Sequence, residues 1–171
     1  VQGSGNYIRH RGAVESVYAF FRLELIGGGG LPTAQVLSAD RLNKPRKAPQ
    51  FGPSDEGHRI RRLRFLDDEL IAIEEIWLDG SHRDVITVSD LSDSLYHFYR
   101  EDLGVIIVSV ADEIGLGRVP EWAPDSFHLR AGATTGYIER VSWTATGEAA
   151  EFSRTWFDSG KARYVSRMGK G

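Results

Sequence analysis

The residues best placed to do chemistry lie between His58 and Leu78, HRIRRLRFLDDELIAIEEIWL. Arg62 and Arg64 are two positions apart, so in a β-strand both guanidinium groups stand on one face. Glu74 falls among Leu70, Ala72, Ile76 and Leu78, on a face that is otherwise apolar. A lone carboxylate in hydrocarbon is costly and needs a cationic or hydrogen-bonding partner. Two guanidiniums beside an acid suit a small polar anion: the arginines grip phosphate or carboxylate, and the acid accepts from hydroxyl or amine groups. The same three groups also make an internal ion pair with no ligand, and both readings stand at this point.

Register decides whether the three charges meet. A two-residue turn at Asp67 and Asp68 sets Arg62 opposite Ile73 and puts Glu74 on the far side of the sheet. A three-residue turn from Asp67 to Glu69 sets Arg62 opposite Glu74 and Arg64 opposite Ala72. The three-residue turn is therefore expected.

A second group follows in LSDSLYHFYREDLG, read as a helix. Ser92 or Asp93 can cap it, Leu95, Phe98, Tyr99 and Leu103 form its buried stripe, and Gly104 stops it. Ser94 and Tyr96 then occupy the first turn, where unpaired N–H groups and the positive dipole end favour an anion. Plain capping by Ser94 and core packing by Tyr96 account for the same residues. Glu151 follows Ala149 and Ala150 at a strand start, either a second acid near an apolar wall or an ordinary exposed residue.

Other chemistries are not encoded in recognisable form. His10, His58, His82, His97 and His128 show no metal-ligand spacing, and there is no H-E-x-x-H or cysteine pair. Neither a G-x-S-x-G elbow nor an S-x-x-K occurs. GSGNYI lacks the third glycine of a dinucleotide fingerprint. No cofactor or metal is expected.

These groups need elements to hold them. At 171 residues, 41% hydrophobic and 11% aromatic, the chain suits one folded domain. A net charge of −3 gives no basic footprint for nucleic acid. The absence of cysteine suits a reducing cytoplasm, and no apolar run reaches the roughly 20 residues of a membrane span. With Met168 as the sole methionine, the chain reads as a fragment or processed product of something longer. Periodicity predicts a helix over 13–26 ended by the glycine run 27–30, a strand over 34–41 and an exposed proline-rich loop over 44–57. It predicts a central strand over 104–111, apolar on both faces. The end of the chain reads as a meander of strands over 136–145, 148–157 and 162–166.

With these residues in view, R-L-R-F-L-D-D-E-L-I-A-I-E-E-I-W-L resembles the R-x-R, D-G-x-P-I-A-x-E signature of the UTRA domain, the effector-sensing half of GntR-type transcription regulators of the HutC subfamily. SLYHFYREDLG resembles that family's S-L-Y helix, GATTGYIERVSW its strand carrying an arginine, TGEAAEFSRTWF its G-x-P-V-E-Y-S strand, and VQGSGNYIR the last wing strand and linker of an upstream winged helix.

The resemblance implies an α+β fold, an antiparallel sheet flanked by helices as in chorismate lyase, with the ligand in a cleft against the sheet. It divides the chain into the end of a wing and linker at 1–12 and a UTRA domain at 13–171. It implies that Arg62, Arg64, Ser94 and Tyr96 hold the phosphate or carboxylate of a small anionic effector, and that Glu74 and Glu151 are its acids. Phe157 stands where a tyrosine often follows, removing one hydroxyl contact, and Leu70 replaces a proline after the turn. It also implies a cytoplasmic homodimer that reaches operator DNA through the upstream winged helix, not an enzyme. Two alternatives are a chorismate lyase-like enzyme acting on a small aromatic acid, and a dimerisation module with a vestigial pocket.

Overall fold

The structure, a computed structural model, describes residues 19–170. The expected wing end and linker at 1–12, and the predicted helix up to residue 18, lie outside the described residues.

Among the described residues, eight strands form two antiparallel sheets. They are β1 (Leu23–Leu25), β2 (Pro32–Asn43), β3 (Glu56–Leu66), β4 (Glu69–Asp79), β5 (Ile107–Arg118), β6 (Thr134–Thr144), β7 (Ala149–Phe157) and β8 (Ala162–Tyr164). Six of them make the main sheet in the order β2-β3-β4-β7-β6-β5, and β1 pairs with β8 beside it. Helical structure is sparse: α1 (Leu95–Phe98) runs into a π turn at Tyr99–Leu103, and 3-10 turns occupy 80–82, 88–90 and 125–127.

Two covers lie on one face of the sheet. Leu95, Phe98 and Tyr99 of the helical segment pack on Ile60, Ile76 and Leu78. At the other end Leu23 and Ala162 of the small sheet pack on Leu66, Ala72, Ile138 and Phe157. The opposite face is covered by Val119 and Phe127 over Leu63, Ile73 and Trp156, and by Phe51 against Trp77 and Phe152. The site lies in the gap between the first two covers.

The central hairpin differs from expectation in its turn and agrees in its pairing. Leu66 pairs with Glu69, so the turn has two residues, Asp67 and Asp68, both left-handed at φ 48° and 63°. Asp67 is held there by its carboxylate, which accepts from the Leu31 N–H at 2.7 Å. Phe65 then pairs with Leu70 but Arg64 with Ala72, leaving Ile71 as a β-bulge. The extra residue shifts the register by one and brings Glu74 opposite Arg62, on the arginines' face. Ile71 is buried in the core, and its carbonyl accepts from Asp158 N–H at 2.8 Å.

Four other expectations are corrected. Residues 23–25 are strand, not helix: Leu23 and Leu25 alternate inward while β8 supplies hydrogen bonds. Gly27 to Gly30, all at positive φ, therefore form the turn between β1 and β2. The apolar run near residue 107 begins an edge strand, not a central one, and β5 extends to Arg118. The last strand leaves the meander and pairs with β1. The proline-rich loop is not wholly solvated, since Phe51 is buried and Lys44 pairs with the buried Asp79.

Candidate functional site

Strand pairing lays polar groups in rows across one sheet face. Arg62, Glu74 and Thr155 are successive partners across β3, β4 and β7, continuing to Ile138 on β6. In the next row Ile76 neighbours Ser153, then Arg140 on β6 and Asp112 on β5. Beyond it Glu151 neighbours Ser142. Alternation therefore gathers three arginines, three acids and several hydroxyls on a face whose neighbours are Ile and Leu.

Glu74 is clamped by both arginines. Arg62 Nη2 lies 3.1 Å from Glu74 Oε2, and Arg64 Nε 3.2 Å from Oε1. Burial works against the Glu74 charge, but the Arg62 and Arg64 guanidiniums outweigh it and hold the carboxyl below the usual range. Each arginine also donates from Nη1 to the Asp93 carbonyl at 3.3 Å. That grip draws the start of the helical segment onto the strand pair. The Arg64 guanidinium also lies over the Phe21 ring, 4.5 Å from its centre.

The cap of that segment is Ser94, one residue past the expected positions, with Oγ accepting from His97 N–H at 3.3 Å. Ser92 Oγ instead donates to the Ser94 carbonyl. Tyr96 reaches across to the sheet: its hydroxyl lies 3.0 Å from Glu151 Oε1 and 2.8 Å from Ser142 Oγ. Tyr99 and Ser142 donate to the same carboxylate. Burial pushes the Glu151 carboxyl up, and these three hydroxyls offset only part of that. The Tyr96 phenol is raised too, by burial and the Glu151 charge.

These groups line one cavity of about 730 Å³, its open mouth included. Arg62, Arg64, Glu74, Ser94, Tyr96 and Glu151 all border it. Phe157, the seventh residue singled out, is not in this lining; it is buried with Leu66, Ile71 and Ala72. Its ring lies over Gly136, where a Cβ would come within 2.2 Å of it.

Local reasoning missed Arg140, Ser153, Thr155 and Tyr164, which also line the cavity. Arg140 is held by two bonds to Asp112, at 2.6 and 2.8 Å, and donates to the Phe20 carbonyl at 2.7 Å. Tyr164 donates to the same acid at 2.6 Å. The available signal was period-two placement: Arg140 alternates with Ile138 and Ser142 as Glu74 does with its neighbours.

The adjacent acid shows what the opposite face does with the same residue types. Glu75 meets Arg61 at 3.0 Å and Arg154 at 2.6 Å, with indole N–H of Trp77 at 3.1 Å. Folding also assembles Asp79, His82 and Glu148, a set of metal-ligand types that spacing did not reveal. Asp79 is already engaged by Lys44, the Ser54 N–H and Ser81, so the cluster is an ion-pair and capping centre.

A cavity against an antiparallel sheet, lined by an R-x-R strand and an S-L-Y turn, matches a known family: residues 28–163 fit the model of the UTRA domain. The chain belongs to the UTRA domain family. Over 168 residues it is 57% identical to the HTH-type transcriptional regulator SmoD of Agrobacterium fabrum, a match covering 98% of this chain and 72% of that protein. The ligand-binding domain of a putative GntR-family regulator from Bordetella bronchiseptica has the same fold, with a TM-score of 0.76 at 20% identity, over 88% of this chain and 98% of that one. The effector domain of PhnF from Mycobacterium smegmatis superposes with a TM-score of 0.68 at 16% identity, over 92% and 94%. This UTRA domain is thus the effector-binding domain of a transcriptional regulator.

Proposed function

We propose that this UTRA domain senses a small anionic metabolite, a sugar phosphate or organic acid, for a cytoplasmic homodimeric regulator of the HutC kind that contacts operator DNA through an upstream winged helix. In this reading residues 1–12 end that head and its linker. The observation that carries it is that the Arg62 and Arg64 guanidiniums, Ser94, Tyr96 and Glu151 border one cavity whose walls are not packed shut. Arginine forks at its wall suit phosphate or carboxylate alike, and Glu74, Glu151, Ser153 and Thr155 offer partners to the hydroxyl or amine groups of the same molecule.

Regulation then follows from differential binding. An anion held better by one arrangement of the dimer shifts the population toward it, changes the spacing of the two heads and so alters operator affinity. No turnover is required, and incubation with chorismate should yield no product.

Calorimetry of the chain against inorganic phosphate and a panel of sugar phosphates and organic acids tests the assignment. At least one should bind, and Arg64→Ala should weaken it by about 2 kcal/mol, the scale of a lost charge-assisted contact. An affinity unchanged by that substitution, or no binding across the panel, sinks the reading.

A further inference from the structure

Among the described residues the cavity wall carries two acids, Glu74 and Glu151, and the cations serve only the first. Arg62 and Arg64 hold Glu74, Arg140 holds Asp112, and Arg22 donates to the carbonyls of Ala19 and Phe21. Glu151 is buried and meets three hydroxyls instead, from Tyr96, Tyr99 and Ser142. Burial without an ion-pair partner favours the neutral form of a carboxyl group.

The geometry asks for the same proton. Glu151 Oε1 and the hydroxyls of Tyr96 and Ser142 stand in a triangle with sides of 3.0, 2.8 and 2.9 Å, each short enough for a hydrogen bond. Each hydroxyl carries one proton and an ionised carboxylate none, so two protons serve three sides. A proton on Oε1 fills the third. Glu151 then donates to Tyr96, Tyr96 to Ser142 and Ser142 to Glu151, while Tyr99 donates to Oε2. The surrounding elements offer no competing arrangement. From the helical segment Tyr96 and Tyr99 reach the acid, while His97, Arg100, Glu101 and Asp102 are exposed. β6 sets Ser142 beside it and Arg140 further along the face, acting through space with its nitrogens on Asp112. β4 sets Leu78 beside it, and β3 places His58 beyond Leu78, donating from Nε2 to the Arg83 carbonyl at 2.6 Å.

We infer that this UTRA domain binds its anion together with a proton, which lodges on Glu151. The inference rests on the sensing role proposed above and narrows it. An anion and an ionised Glu151 in one desolvated cavity raise each other's cost, and the proton removes that repulsion while closing the triangle. The loaded domain then holds more protons than the free one, so affinity strengthens as pH falls, by at most about tenfold per pH unit for one proton. The class of guest narrows too. A ligand ammonium beside Glu151 would keep the acid ionised, so the fitting guest is a phosphate or carboxylate whose other polar groups are neutral hydroxyls.

Sulfate, an anion that does not itself titrate near neutrality, is the probe. Calorimetry of the whole chain with sulfate at constant ionic strength, between about pH 6 and pH 9 and in two buffers of unlike ionisation heat, counts the protons taken up. The wild type should take up as much as about one proton per sulfate, with affinity falling as pH rises. Glu151→Gln, which keeps a donor in the same place, should bind sulfate with that uptake lost. An infrared difference spectrum needs no variant: adding sulfate to the wild type should bring up the band of a protonated carboxyl. By the same calorimetry 2-hydroxyethyl phosphate should bind more tightly than 2-aminoethyl phosphate, and the reverse order overturns the ligand class. Sulfate binding with no proton uptake across that range overturns the inference and leaves the sensing role standing. Uptake that persists in Glu151→Gln, or uptake without the carboxyl band, moves the proton to another group such as His58 and overturns it as well. Failure of sulfate and of the whole anion panel to bind refutes the sensing role, and this inference with it.

Discussion

Glu74 is one carboxylate clamped by two buried guanidiniums, all three at the wall of the cavity. The pair Arg62 and Arg64 brings two positive charges to the cavity wall and Glu74 returns one negative charge, with the Asp93 carbonyl adding a shared acceptor. Breaking a buried ion pair from one side leaves uncompensated charge and costs about 3–5 kcal/mol. Glu74→Gln should therefore lower the melting temperature markedly, and millimolar phosphate should restore more of it than phosphate adds to the wild type, since a bound anion then replaces the negative charge that Glu74 supplied. Thermal unfolding with and without phosphate checks this. A wild-type melting point in the variant, or an equal phosphate shift in both, shows that Glu74 does not hold the arginines in the way described.

At the scale of elements, the hairpin shows which parts of the fold local sequence encodes. The common face of Arg62, Arg64 and Glu74 was legible because a charge on an apolar strand face demands a partner, and that demand is written in residue types. The means of satisfying it was not. A three-residue turn and a two-residue turn with a bulge give the same pairing beyond the bulge, and the choice rests on Asp67 meeting Leu31 N–H and Ile71 meeting Asp158, both distant in sequence. The helix expected over 13–26 failed at residues 23–25 for the same reason, because β8 lies 139 positions on from Leu23 to Ala162. Ser153, Thr155 and Arg140 escaped notice because neither their own strands nor the turns between them reveal which strands lie beside β4. The turn itself carries a testable cost. Asp68 holds φ 63°, a conformation that disfavours L-residues by roughly 1–2 kcal/mol, part of which glycine gives back through its looser unfolded chain. Asp68→Gly should raise stability by about 1 kcal/mol, read as a higher denaturant midpoint with unchanged slope, whereas Asp67→Gly should not, since it removes the acceptor of the Leu31 N–H. Equal effects at the two positions would contradict this account of the turn.

For the whole molecule, the buried charges set how stability depends on pH. Burial opposes ionisation at Glu74, Glu75, Asp79 and Asp112, yet each is held below its ordinary range by a cation: Arg62 and Arg64, then Arg154, Lys44 and Arg140 respectively. These four strap the sheet together, joining β3 to β4, β4 to β7, the proline-rich loop to the end of β4, and β5 to β6. Their unfolded counterparts take up protons near pH 4, before the folded ones do. Over that window the unfolded state binds more protons, so stability rises with pH, is fully present above the ordinary carboxylate range, and is lost as pH falls through the folded values. Glu151 works the other way. Its raised carboxyl favours the folded state below the ordinary range, and that contribution disappears as pH rises through the folded value. Four lowered acids against one raised one give a net loss on acidification, with the neutral-side gain held back by Glu151. Urea unfolding followed from pH 7 down to pH 3 should show a midpoint that falls steeply below about pH 4.5, where the unfolded carboxylates begin to protonate. A midpoint that stays level or rises across that interval would mean that the four buried pairs do not hold the sheet together.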